Sequence, residues 1–204
     1  HEVMVHRADG VDAVDLSIEY TLKKDIRGLK KLIRQDDDID ILREYIRDRS
    51  IELMALKQPL ARDLRYIYAL SDISTELERI GDYSTNICKE SLEIGEDTFI
   101  KEMIDIPAMK EICVEMLKNL WDALKNDDAE LAFNIAQKDN EIDELYEKVR
   151  KDCLQVMHSN PTENINQGVR LVFIGRYLER IGDHITNICE KIIYAKNGEM
   201  IEIG

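Results

Sequence analysis

The strongest constraint on this chain is that it contains two copies of itself. Glu78-Arg79-Ile80-Gly81-Asp82 returns as Glu179-Arg180-Ile181-Gly182-Asp183, an offset of 101 (179 − 78). Asn86-Ile87-Cys88 returns as Asn187-Ile188-Cys189 at the same offset. Asp36-Asp37-Asp38-Ile39-Asp40 returns as Asp139-Asn140-Glu141-Ile142-Asp143 at 103 (139 − 36), an offset that Asp25 and Asp128 share. Two copies are too few for an open solenoid, which needs at least three repeats to bury a continuous core. They point to two units packed together about a pseudo-twofold axis.

Inside each copy the apolar residues recur at steps of three and four. One series is Ile135, Asp139, Ile142, Tyr146, Val149, Cys153, Val156, and another is Ile174, Leu178, Ile181, Ile185, Ile188, Ile192, Ala195. Leu32, Asp36, Ile39, then Ile46 and Leu53, and Leu70, Leu77, Ser84, Ser91, follow the same spacing. This is the seam of an antiparallel helical bundle. Breaks are few: Lys57-Gln58-Pro59, Ser159-Asn160-Pro161-Thr162, the stretch from Gly95 to Pro107, and Gly198. The pattern predicts helices over 3–24, 26–57, 60–93, 107–125, 127–158 and 162–196. The expected fold is all-α, with tandem antiparallel three-helix repeats over 3–94 and 107–197 forming one six-helix bundle and a single domain over 1–204.

Composition narrows the function classes. A net charge of −14 repels a phosphate backbone and attracts cations, so nucleic-acid binding is not expected. No apolar run reaches the roughly 18 residues of a membrane helix, and no signal peptide is visible. A cytoplasmic protein without membrane insertion is expected. Cys88, Cys113, Cys153 and Cys189 form no C-x-x-C pair and read as small core hydrophobes with free thiols.

The chemistry lies in the acidic pairs. Asp36 with Asp40, Glu78 with Asp82, Asp139 with Asp143, and Glu179 with Asp183 are each four apart, which places both members on one helix face. Residues equally far from a hairpin turn lie side by side. The midpoints 38 and 80 average to 59, which is Pro59, and 141 and 181 average to 161, which is Pro161. In both copies the two pairs therefore face the same level of their hairpin. Asp36 and Asp139 also fall on the apolar seam, where a lone carboxylate is costly. Gly81 and Gly182 sit mid-helix between the pair members, where glycine costs about 1 kcal/mol against alanine and leaves room for a cluster. Four converging carboxylates repel unless a multivalent cation binds, and their oxygen donors suit iron, manganese, zinc or magnesium. The competing reading is that acidic i,i+4 pairs lie on solvated faces, as most do in a chain with 42 acidic residues.

Neighbouring residues carry weaker signals. Asn86 and Asn187 follow the aspartates on the same face and could serve the cluster or bond to another helix. His184 adjoins Asp183 but has no counterpart, since the matching residue of the other copy is Tyr83, and it reads as surface or structural. Arg79 and Arg180 are candidates for ion pairs that balance the acidic band, and Tyr177 and Trp121 read as core. A carboxylate-bridged metal enzyme is the alternative function. Such ferritin-like sites use Glu-x-x-His, but the residues three before His6, His158 and His184 are Val3, Gln155 and Ile181. No nucleophile–base arrangement is present, and no catalytic residue is expected.

The run Tyr177-Leu178-Glu179-Arg180-Ile181-Gly182-Asp183-His184 with Thr186-Asn187-Ile188, and Pro59-Leu60-Ala61-Arg62-Asp63-Leu64-Arg65 leading into Leu77-Glu78-Arg79-Ile80-Gly81-Asp82, resembles the PhoU family of phosphate-uptake regulators. The likeness runs from about Val3 to Glu199. It implies a cytoplasmic, often dimeric bundle whose acidic motifs hold multinuclear metal clusters, iron or zinc foremost, with manganese or magnesium as alternatives. It implies negative regulation of phosphate uptake and of the phosphate-starvation response. The implied partners are the ATPase of a phosphate ABC transporter and a membrane sensor kinase. The motif residues are the four acidic pairs already named.

Overall fold

The computed structural model describes residues 7–35, 47, 48, 50–52, 54, 55, 60–198 and 201–203. Among the described residues seven helices follow one another: α1 Arg7–Lys23, α2 Ile26–Arg34, α3 Ala61–Ile94, α4 Asp105–Asn126, α5 Ala129–Gln137, α6 Asp139–Ser159 and α7 Pro161–Asn197. Residues 47, 48, 50–52 and 54 are also helical, and no strand occurs among the described residues. No described helix is long and apolar enough to cross a membrane.

The duplication extends to the backbone of the turns. Lys24 (φ 52°) and Asp127 (φ 50°) are both left-handed and lie 103 apart (127 − 24). Each is followed by an aspartate whose N–H returns to the preceding helix, Asp25 to the Tyr20 carbonyl and Asp128 to the Ala123 carbonyl, both at 2.9 Å. Each aspartate then caps the next helix. Asp25 Oδ1 accepts from Gly28 N–H at 2.9 Å, and Asp128 Oδ1 from Leu131 N–H at 3.0 Å. Such caps satisfy amides the first helical turn leaves unpaired. α3 and α7 both end on left-handed residues, Gly95 (φ 62°) and Gly198 (φ 78°), where glycine carries no steric cost.

α3 and α7 pack antiparallel along their length and join the two units. They supply buried Ile73, Ile80 and Ile87 of α3 and Leu171, Ile174, Leu178, Ile181, Ile185 and Ile188 of α7 to the shared apolar core. Each such side chain contributes roughly 1.5–3 kcal/mol by leaving water. α1 packs on α3 and α4, and α6 lays Ile142, Val149 and Cys153 against α7 and α4. The linker after α3 is held down by buried Gln167, whose Oε1 accepts from Ile100 N–H (2.8 Å) and whose Nε2 donates to the Thr98 carbonyl (3.0 Å). All four cysteines are buried free thiols. Burial pushes those of Cys113, Cys153 and Cys189 above their ordinary range.

The sequence pattern differs from the structure in the middle of repeat two. A single helix over 127–158 is predicted, but the chain bends at Lys138. There the N–H of Lys138 bonds to the Ile135 carbonyl (3.0 Å) and that of Glu141 to the Lys138 carbonyl (3.1 Å), each three residues back rather than four. This tighter step ends α5 and starts α6 at Asp139. In repeat one, α2 ends at Arg34. The remainder of the predicted 26–57 helix falls largely outside the described residues, including Asp36, Ile39, Asp40, Ile46 and Leu53.

Candidate metal centre

In repeat two the acidic residues meet where α6 begins and α7 passes. Asp139 opens α6, Asp143 lies one turn further, and Asp183 projects from α7. Each offers a carboxylate oxygen, and the three oxygens lie within 4.8 Å of one another. Glu179, one turn before Asp183, stands beside this trio rather than in it. Arg176 holds its Oε1 at 2.7 Å, and its Oε2 is buried without a hydrogen bond. Asp139 Oδ1 is likewise buried and without a partner. Asp183 is engaged by Arg180 at 2.9 Å. The three aspartates and Glu179 are all oxygen donors, two of them with orphaned buried lone pairs, so the cluster fits a hard multivalent cation.

Electrostatics mark the same spot. Asp139 is pushed from its ordinary 3.8 up to about 7, first by burial and then by Asp143, Asp183 and Glu179. The Thr186 hydroxyl bears on this carboxylate as the weakest influence and in the lowering direction. Its geometry falls short of a hydrogen bond, and its oxygen is itself buried without a partner. Asp143 sits at the exposed rim, where the protein mass behind it and Asp183 raise its carboxyl against the pull of Arg176. Glu179 is raised by burial and by Asp183, with Arg176 and Arg180 opposing.

A row of glycines lets α6 and α7 come this close. A Cβ at Gly182 would overlap Asp139 Oδ1 and touch Ile142, one at Gly175 would lie 3.2 Å from Tyr146 and Val149, and one at Gly168 would overlap the Met157 side chain. Gly168, Gly175 and Gly182 are seven apart, so they share the face turned toward α6. That spacing is a sequence signal beyond the single glycine of the motif.

In repeat one, Glu78 and Asp82 lie on α3 at the equivalent positions, Glu78 half-buried and Asp82 exposed. Their expected partners, Asp36 and Asp40, lie outside the described residues. The structure therefore brings together Asp139, Asp143 and Asp183, sets Glu179 beside them, and describes half of the other set.

The asparagine and histidine serve the join between the units. Glu76 Oε2 of α3 accepts from Asn187 Nδ2 (3.1 Å) and meets His184 Nδ1 at 2.5 Å, while Arg79 lies 3.5 Å from Glu76 Oε1. Burial is the largest single influence on the Glu76 carboxyl and raises it, but these contacts together outweigh it and hold the group below its ordinary value. Asn187 thus bonds to a neighbouring helix, and His184 is buried and structural. Shifted by 101, Glu76 and His184 become Tyr177 and Tyr83, whose rings meet at a tilt of 32° with centroids 5.8 Å apart, and Tyr83 stacks on His184 at 5.4 Å. Tyr83 and His184 are copies of each other in contact, so they mark the pseudo-twofold axis. Glu76 has no acidic counterpart in the second copy, and nothing in the sequence singles it out.

Fold and site together define a class: a duplicated helical unit, joined through the two longest described helices, each of which carries a copy of the Glu-Arg-Ile-Gly-Asp motif. The PhoU domain family matches residues 10–91 and 106–192. This chain belongs to the PhoU family. It is 32% identical over 188 residues to the phosphate-specific transport system accessory protein PhoU homolog of Clostridium acetobutylicum, covering 92% of this chain and 85% of that protein. The homolog of the same name in Aquifex aeolicus is 34% identical, with coverages of 94% and 86%. Among solved structures, the phosphate transport system regulatory protein PhoU from Streptococcus pneumoniae superposes with a TM-score of 0.85 at 28% identity, over 95% of this chain and 90% of that one. PhoU from Pseudomonas aeruginosa gives 0.87 at 26% identity, over 96% and 94%.

Proposed function

We propose that this protein is a metal-loaded regulatory adaptor of phosphate transport, which restrains phosphate uptake and phosphate-starvation signalling by docking on a transporter ATPase and a sensor kinase. Family membership and the relatives' names support the phosphate-transport part. The convergence of Asp139, Asp143 and Asp183, with buried oxygens of Asp139 and Glu179 left unpaired, supports the metal part. Asp139, Asp143 and Asp183 would hold the cation, with Glu179 turning in from Arg176. By the repeat, Asp36, Asp40, Glu78 and Asp82 would form a second cluster. A cation there would neutralise repelling carboxylates and tie α6 to α7. With no histidine or cysteine donor among these residues, iron, manganese or magnesium suits the set better than zinc.

A regulatory rather than catalytic role agrees with His184, which is committed to Glu76 on α3. The test has two arms. Elemental mass spectrometry of the gently purified chain should find several metal equivalents, lost in the double variant Asp82→Ala, Asp183→Ala. A folded wild type that cannot be loaded with metal would remove the metal role. In cells lacking the native regulator, the chain should restore repression of phosphate uptake in replete medium, and failure to do so would remove the regulatory role.

A further inference from the structure

We propose that α2 is a docking ridge for an acidic helical segment of a partner protein. Arg27, Lys30, Lys31 and Arg34 occupy positions i, i+3, i+4 and i+7, which form one face of a helix, and all four are exposed. The opposite side is committed to the bundle, with Gly28 and Leu29 buried as α2 packs on α1 and α3. Among the described residues, none of the four basic side chains has an ion-pair partner, in a chain with 42 acidic residues and a net charge of −14.

The duplication supplies the control. α5 is the copy of α2, with the same length and the same aspartate cap. Its equivalent positions, 103 further on, are Glu130, Phe133, Asn134 and Gln137. Four positive charges on one copy thus correspond to a single negative charge on the other, on helices otherwise built alike. Neither the fold nor the cap requires this face to be basic.

The shape and surroundings select the occupant. The ridge is convex, so it cannot enclose a small anion, which binds best in a concavity. A bilayer-seated helix needs large apolar side chains beside its basic ones. Among the described residues the exposed large hydrophobics begin only at Ile51, and none lies on α1 or α2. An anionic leaflet would also meet the rest of a strongly acidic surface. A slender acidic helix can touch the ridge alone. Its carboxylates at i, i+3, i+4 and i+7 would match four cations spread over about 10 Å at 1.5 Å per residue. The proposal does not rest on the metal site.

The test uses the full chain and a fluorescent alanine-rich helical peptide carrying four glutamates at that spacing, with a scrambled peptide of equal composition. The variant R27Q/K30Q/K31Q/R34Q is compared with K89Q/K118Q/K125Q/K151Q, which removes the same charge from exposed lysines elsewhere. The patterned peptide should bind in a salt-sensitive manner, lose about tenfold or more in affinity on the ridge variant, and change by about twofold or less on the control. A milder variant, K30Q/R34Q, should give an intermediate loss and serves if the quadruple change perturbs folding. Equal loss on both quadruple variants, equal binding of the scrambled peptide, no binding at low salt, or ridge-dependent binding to phosphatidylserine vesicles without peptide binding would each overturn the proposal.

Discussion

At the residue scale, Asp139 concentrates the cost of the acidic cluster, and its proton is the measurable consequence. Unfolded, its carboxyl titrates near its ordinary 3.8, and folded, near about 7. Between those values the folded chain holds a proton that the unfolded chain releases, so this group favours folding at the low end of the window. The stability of the metal-free chain should therefore fall as pH rises from about 4 to about 7, with Asp143 and Glu179, also raised, acting in the same sense. Glu76, which is lowered, acts in the opposite sense. Thermal melts of metal-free protein across that range should show the decline, and Asp139→Asn should flatten it. Metal affinity should move the other way and strengthen through pH 7, because binding needs the carboxylates deprotonated. Titration calorimetry at several pH values checks this. Glycine substitutions give a second prediction. Gly182→Ala drives a methyl into Asp139 Oδ1 and should lose the metal of the repeat-two cluster alone. Gly168→Ala meets only the flexible Met157 and should leave metal loading intact, with stability within about 1 kcal/mol of wild type. Metal content and denaturant midpoints of the two variants separate the cases.

At the element scale, the repeated turn fixes where each unit's middle helix begins. Asp25→Ala and Asp128→Ala should each cost about 1 kcal/mol in urea unfolding, because each removes the same cap from the same position. A much larger cost for one of them would show that the two turns are not energetically equivalent. The shared offset of these aspartates is legible in the sequence, but their capping role emerges only when the left-handed Lys24 and Asp127 are seen to close the turn. The bend at Lys138 was not legible at all. The series runs through it unbroken from Ile135 to Val156, since one tight step changes two hydrogen bonds and leaves the three-four alternation intact. That bend places Asp139 at the head of α6, where it faces Gly182. The α3–α7 contact offers another test. Glu76→Ala would leave buried His184 and half-buried Asn187 without their acceptor and should cost about 1–3 kcal/mol in equilibrium unfolding.

At the scale of the whole molecule, the join between the copies runs along the two longest described helices, which both supply fully buried isoleucine to one shared core. Units sharing so much apolar surface should not melt apart. Far-UV circular dichroism, which reports every helix, and fluorescence of the single Trp121, which lies on α4 of the second copy, should give coincident unfolding midpoints. A separate, earlier transition in one probe would mean that the units fold independently.

The sequence by itself determined the helical class, the duplication, the seam and, in repeat two, the level at which Asp139, Asp143 and Asp183 meet. These follow from periodicity and counting along the chain, which a helix converts directly into faces and heights. The tertiary structure decided which carboxylates converge, which stand aside with an arginine, and how the copies lock through Glu76, His184 and the paired tyrosines. Those outcomes depend on helix axes, burial and partners distant in the chain. A residue such as Glu76, one acidic side chain among 42, gains its role only from what α7 places against it.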